Sequence, residues 1–330
     1  MLRLTHLGTV FQGNTQDVAR LRETFDHQHV LHLPQFLPAE LLCSIQAALA
    51  RAAFQEDGVP GLSAELRLAA TEPIYHHLLF MMNDPALFRW VEQVTGCETI
   101  GRFSGRVYRR SPGTNHYVDW HSDCAQTRMI GISVNLSTET FSGGTLKLRD
   151  RASRQHLCET ANTGFGDAVL FRISPQLEHI VMPTEGTTDR TALAGWFRRE
   201  PDYMDELSAA IIAQRPMPCD EAAVLTNSLV DDSINGLPTK LRLSDDALYH
   251  AVGDDLFIHV NRQDGFYKLN AVGREILERL VSMGTPATVI AEMLEEYDAP
   301  AAELTHEVYR LIAELHSHGV LAADVPETDA

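Results

Sequence analysis

Met129-Ile130-Gly131-Ile132-Ser133-Val134-Asn135-Leu136 and, after a short polar break, Ser142-Gly143-Gly144-Thr145-Leu146-Lys147-Leu148 decide the fold. In the first run Ile130, Ile132, Val134 and Leu136 alternate with small or polar residues. The second restarts the alternation after a Gly-Gly turn, so both read as strands. The same grammar runs from Glu98 to Phe197: Asp167–Phe171, Leu177–Val181 and Thr191–Phe197 are short apolar runs cut by Gly, Ser, Pro and Asp. Many short strands with regular turn signals predict a β-sandwich or barrel.

Just outside these strands lie the residues that carry chemistry. His121-Ser122-Asp123 precedes the first run, His179 follows 58 residues after His121, and Arg190 opens the last strand. A His-x-Asp tripeptide alone is expected by chance in a chain with 15 histidines. Strand alternation, however, predicts that His121 and Asp123 share a face, and a jelly-roll brings distant strands to one mouth. Two neutral imidazoles and a carboxylate suit Fe(II) and leave coordination positions open. Arginine, planar and two-pronged, suits a carboxylate partner better than lysine. Arg102, Arg106, Arg109 and Arg110 crowd one segment upstream, a candidate local field for anions if they do not simply line a solvated strand face.

Working outward, the first hundred residues read as a helical layer. Val30, Leu31 and Leu33 form a short strand, and Pro38 opens a helix on which Leu41, Ile45 and Leu49 share a face. Residues 201–240 read as a linker, with a short acidic helix at Tyr203–Gln214 followed by Pro- and Asp-rich loop chemistry. From Leu241 onward, strands at 247–252, 256–261 and 266–269 precede three helices, the second opened by Thr285-Pro286 and the third covering about Glu303–Ser317. Asp264-Gly265 predicts a hairpin turn. The fold class is therefore α+β, mainly β: a domain over 1–200, a linker over 201–240, and a winged-helix-like βββααα domain over 241–330.

Composition narrows the function. The chain has 330 residues and a net charge of −18. Residues 240–330 alone hold 17 acids against 7 bases. That disfavours nucleic acid, whose binding rests on neutralised phosphates. No apolar run reaches the ~20 residues of a membrane span, and the N-terminus lacks a secretory pattern. The five scattered cysteines, Cys43, Cys97, Cys124, Cys158 and Cys219, have no CxxC spacing and fit a reducing cytoplasm. Cys124, next to Asp123, reads as a small packing residue. Oligomeric state is not legible.

On His121, Asp123, His179 and Arg190, the stretch from Val30 to Arg199 resembles the Fe(II)/2-oxoglutarate-dependent dioxygenases. Phe36–Leu41 resembles the family's N-terminal helix entry, Ser142–Leu146 its Gly-Gly turn, and Gly195-Trp196-Phe197 the end of its last strand. The resemblance implies a double-stranded β-helix (jelly-roll, cupin-like). Iron would be held by His121, Asp123 and His179, and Arg190 would pair with the C5 carboxylate of 2-oxoglutarate. Tyr108 and Asn135 match positions that contact the co-substrate in relatives. It implies Fe(II), 2-oxoglutarate and O₂, with ascorbate as an accessory reductant, and hydroxylation rather than halogenation because Asp123 is present. One departure stands out: relatives often carry Ser or Thr two positions after the arginine, where this chain has Ala192.

Residues Leu241–Val325 resemble the PqqD-like peptide-recognition domains of ribosomal-peptide biosynthesis, on Tyr267-Lys268-Leu269-Asn270 and Glu314–Leu321, with Met283-Gly284 where relatives often have Asp-Gly. This implies that a precursor's leader peptide adds as a strand at Phe266, Tyr267, Lys268 and Leu269. The acidic surface favours a leader with Lys or Arg. The leading expectation is a cytoplasmic hydroxylase of a precursor peptide. The alternatives are a small-molecule oxygenase with a structural tail, and a non-catalytic peptide carrier.

Overall fold

In the computed structural model, the described residues are 1–59, 63–125, 127–214, 238, 240–297 and 300–324. They fall into two units, Met1–Glu206 and Leu207–Ala330. Of the linker expected over 201–240, 215–237 and 239 lie outside the described residues, as does Cys219; the helix Tyr203–Gln214 is present.

The first unit is built on a large antiparallel sheet. Its strands run in the order 30–33, 168–172, 128–135, 190–198, 102–110, 63–68 and 54–59, with Tyr117–Val118 also pairing the 63–68 strand. A smaller sheet orders 156–160, 146–150 and 177–181. Along the chain the path crosses repeatedly between the sheets: 128–135 large, 146–150 and 156–160 small, 168–172 large, 177–181 small, 190–198 large. That winding is a double-stranded β-helix. Leu146, Leu148 and Leu177 of the small sheet pack with Val30, Val169 and Phe171 of the large one.

The helical layer covers the other face of the large sheet. Asp84 caps the helix Pro85–Thr95 through the Ala86 N–H, proline takes the first position, and Gly96 ends it in the left-handed region. From this helix Phe88 meets Phe197 edge-on at 5.9 Å, and Phe103 lies 5.5 Å from the same ring. Phe103 and Val107 on one strand, and Phe197 on its neighbour, are buried. Period-two alternation therefore turns Arg106, Tyr108, Arg110 and Trp196 the other way, between the sheets. The hairpin 54–59/63–68, which sequence pattern does not single out, extends the large sheet.

The second unit has the expected three strands, 247–252, 255–260 and 265–269, then helices 271–283, 286–296 and 301–317. Asn270 caps the first helix, Gly284 ends it, and Thr285-Pro286 opens the second. Val260, Leu277, Val289, Met293, Val308 and Ile312 form its core. Two details differ from the sequence reading. Asp264-Gly265 is not a two-residue turn: a 3-10 turn at Asn261–Gln263 precedes a left-handed Asp264, and Gly265 starts the strand. A further pair, 241–243 with 321–323, ties the ends of the unit together.

Candidate metal centre

The backbone itself joins the two histidines. His121 and His179 each donate an amide N–H to the other's carbonyl, at 3.1 and 2.9 Å. His179 sits on the strand 177–181, but His121 and Asp123 lie in an irregular segment, not on the regular strand that alternation suggests. The isolated bridge takes the strand's place. One donor atom from each of His121, Asp123 and His179 lies within 4.8 Å of the others.

Surrounding groups aim these donors. Asp123 Oδ2 is 3.3 Å from His179 Nε2 and 3.7 Å from His121 Nε2. Trp196 donates its indole N–H to the same oxygen at 2.8 Å, and Arg128 donates to Oδ1 at 3.2 Å. The Arg128 guanidinium lies over Trp196, its Cζ 3.5 Å from the ring centre. His121 Nδ1 is 2.7 Å from the Asp119 carbonyl. A carbonyl only accepts, so Nδ1 carries the proton and the Nε2 lone pair is left for a ligand.

The titrations follow from this packing. Burial pushes the Asp123 carboxyl up, but the adjacent His121 and His179 imidazoles and the Trp196 N–H outweigh it and hold it well below the usual carboxylate range. Burial, together with the charge of His121, holds His179 below the ordinary imidazole value despite Asp123. His121 is pulled down by burial and up by Asp123 and the Asp119 carbonyl, and ends above it. A permanently ionised carboxylate beside a buried, proton-poor imidazole is a donor set that fits a divalent cation.

A cavity between the sheets runs from these donors to Arg190. Arg190 is 2% exposed. Its Nη1 donates to the Tyr108 hydroxyl and its Nη2 to Ser133 Oγ at 3.1 Å. Its Nε has no hydrogen-bond partner among the described residues. The side chain lies over Gly144, whose φ is +64° and where an added Cβ would meet Arg190 Cδ at 2.8 Å. The Gly-Gly turn is therefore glycine for two reasons, backbone conformation and room for the arginine. Burial raises the Tyr108 phenol, but Arg190 and Arg110 outweigh it and bring it below the ordinary tyrosine value.

Two sequence expectations change here. Asn135 does not line the cavity; its amide donates to the Gly164 carbonyl and accepts from the Ser137 N–H, and both hold the chain where the strand ends. The cavity's asparagine is Asn162, which donates to the Ser133 carbonyl and has a buried Oδ1 with no partner among the described residues. The hydroxyl missing at Ala192 is supplied by Ser133 from the neighbouring strand, while Thr191 turns away and accepts from Arg109. The period-two run 130–136 flags Ser133 as a polar residue among apolar ones, but its role needs the cross-strand register.

In the second unit Phe266–Leu269 lie on the strand 265–269, which pairs with 255–260 at one end of the three-stranded order among the described residues. A groove runs between this edge and the helix Ala301–Ser317, with Leu269, Ile276 and Leu311 among its lining.

Residues 105–198 match the family model of the 2OG-Fe(II) oxygenase superfamily. The first unit carries a 2OG-Fe(II) oxygenase domain. Residues 258–321 match the model of PqqD, coenzyme PQQ synthesis protein D, and the second unit carries a PqqD-like domain. The oxygenase domain makes the chain an enzyme of the Fe(II)/2-oxoglutarate/O₂ class. Among solved structures, similar chains include a 2OG-Fe(II) oxygenase family oxidoreductase from Burkholderia pseudomallei, 17% identical over 58% of this chain and 95% of that one, with a TM-score of 0.44. A Pseudomonas putida prolyl-4-hydroxylase is 19% identical over 56% and 99%, with a TM-score of 0.42. TbiB1, in complex with the TbiA(beta) leader peptide, is 17% identical over 27% and 99%, with a TM-score of 0.24. No curated protein matches the chain. Among the described residues of this oxygenase, no helix is long and apolar enough to cross a membrane.

Proposed function

We propose that this chain hydroxylates a ribosomally made precursor peptide whose leader is captured by the PqqD-like domain. The observation that carries the reading is one polypeptide holding both a 2OG-Fe(II) oxygenase domain and a PqqD-like domain whose strand 265–269 ends its sheet beside a groove. His121, Asp123 and His179 would hold the iron, and Arg190, oriented by Tyr108 and Ser133, the distal carboxylate of 2-oxoglutarate. Bound iron, with 2-oxoglutarate and O₂, supplies the oxidising power for an unactivated C–H bond.

The protein's share is orientation and dryness. Trp196 and Arg128 fix the Asp123 carboxylate, and the Asp119 carbonyl fixes the His121 tautomer. Ile132, Val169, Phe171 and Val181 wall the cavity with apolar surface. Charges there are thus little screened by water. In the second domain the sheet-edge strand that carries Phe266–Leu269 is where an extended leader would add.

The test incubates the full-length chain with Fe(II), 2-oxoglutarate, O₂ and a candidate precursor peptide drawn from any short open reading frame next to its gene, with and without the leader segment. A 16-Da gain in the core peptide that needs the leader is the expected result. Equal oxidation without the leader would remove the capture role. Turnover of 2-oxoglutarate with no peptide oxidised would favour a small-molecule substrate.

A further inference from the structure

We propose that Arg110 is a second guanidinium for the distal carboxylate of 2-oxoglutarate, so that the carboxylate sits between Arg110 and Arg190. This rests on the proposed role of Arg190. Arg110 and Arg190 are direct cross-strand partners in the antiparallel register. Side chains at such positions are neighbours, and like charges placed there repel. Both are buried, 3% and 2% exposed, and their guanidiniums flank one ring, lying 4.6 and 5.3 Å from the centre of Tyr108. Both line the same cavity.

Their partners do not neutralise them. Arg110 donates one bond, from Nη2 to Glu65 Oε2 at 3.0 Å, and its Nε and Nη1 have no partner among the described residues. Glu65 is shared: Arg106 lies 2.5 Å from its other oxygen, and Arg67 3.4 Å. Among the described residues, Arg190 is bonded to the Tyr108 and Ser133 hydroxyls and to no carboxylate. Two adjacent desolvated cations with N–H groups left over are costly unless an anion joins them. Glu65 thus reads as the post that steadies Arg110, leaving two of its donors for a ligand.

The register also indicates which anion. On the paired strands, Trp196 marks the end where Asp123 is held, and Arg110 and Arg190 mark the other. An anion that satisfies Arg190 and the Tyr108 hydroxyl is therefore within the same pair of side chains that includes Arg110. The terminal carboxylate of a five-carbon keto diacid has one oxygen for each guanidinium.

The experiment measures binding, not turnover. Calorimetry on the full-length Mn(II)-loaded chain compares 2-oxoglutarate with 2-oxopentanoate, which has the same carbon chain without the distal carboxylate. Arg110→Met is expected to weaken 2-oxoglutarate about 10-fold or more and leave 2-oxopentanoate unchanged. Arg110→Lys, which keeps a cation beside Glu65 should the methionine variant fold poorly, is expected to show a smaller loss with the same selectivity. Arg190→Met serves as the reference. If Arg190→Met weakens the diacid but neither Arg110 variant does, the inference about Arg110 is overturned and the reading of Arg190 stands. Equal loss for both acids, or an effect confined to the affinity for peptide, overturns it as well. If neither arginine matters to the diacid, the reading of Arg190 fails too.

Discussion

The oxygenase cavity and the groove of the PqqD-like domain treat charge in opposite ways. In the cavity, Arg110 and Arg190 are buried with N–H groups that have no partner among the described residues, and donor atoms of His121, Asp123 and His179 converge. Along the groove most charges are paired with one another: Lys268 lies 2.6 Å from Asp255, and Arg310 2.8 Å from Glu307, while Glu314 adds a further acid to the lining. The groove therefore presents apolar surface beside largely paired charges, whereas the cavity presents guanidiniums with N–H groups to spare.

The comparison can be broken at the post inside the cavity wall. Glu65→Gln leaves three arginines around a neutral amide and is expected to cost about 3–5 kcal/mol of stability. Urea unfolding followed by tryptophan fluorescence reports on it, because Trp90, Trp120 and Trp196 all belong to the first unit. Burial raises the Glu65 carboxyl, but Arg106 and Arg110 outweigh it, and its folded pKa is below the ordinary value. The stability it gives is thus full above about pH 4.3, its unfolded value, and is lost as pH falls through the folded value. The gap between wild type and Glu65→Gln should close on acidification. A gap constant from neutral pH down into that range would contradict the network.

Next in size is Arg190→Met, expected to weaken 2-oxoglutarate by about 30-fold or more, with little dependence on salt because the site is buried. A loss that fades with added salt would mean that the arginine acts from the surface. Trp196→Phe removes the N–H that holds Asp123 Oδ2 and is expected to weaken metal binding by about 10- to 100-fold, read by competition with a chelating dye. Smallest is Lys268→Ala in the groove. Its pair with Asp255 is partly exposed, so leader affinity should change by less than about fivefold, and any change should fade with salt. A large, salt-resistant effect there would erase the contrast between the two regions.

Much of this was legible in the sequence because period-two runs and turn residues are local signals. The strands of the β-helix, Thr285-Pro286 and the helix at Tyr203–Gln214 all stand close to where the residues put them. What was not legible depends on register between distant strands. Ser133 reaches the Arg190 guanidinium only because its strand lies beside 190–198. Arg102, Arg106, Arg109 and Arg110 look alike in sequence. Pairing separates them: Arg106 and Arg110 meet Glu65 between the sheets, Arg109 covers Phe54, and Arg102 reaches Glu206. The hairpin 54–59/63–68 is rich in charged residues and shows no clean alternation, so its place in the sheet was hidden. Asn135 and Asn162 could be told apart only by what their amides touch.

The central claim is that His121, Asp123 and His179 form one metal centre. Its most direct test is titration of the full-length chain with Mn(II), with free ion followed by electron paramagnetic resonance. Wild type should take up one ion per chain, and His179→Ala and Asp123→Ala none, while both variants still bind leader peptide. Undiminished uptake in both variants would contradict the account.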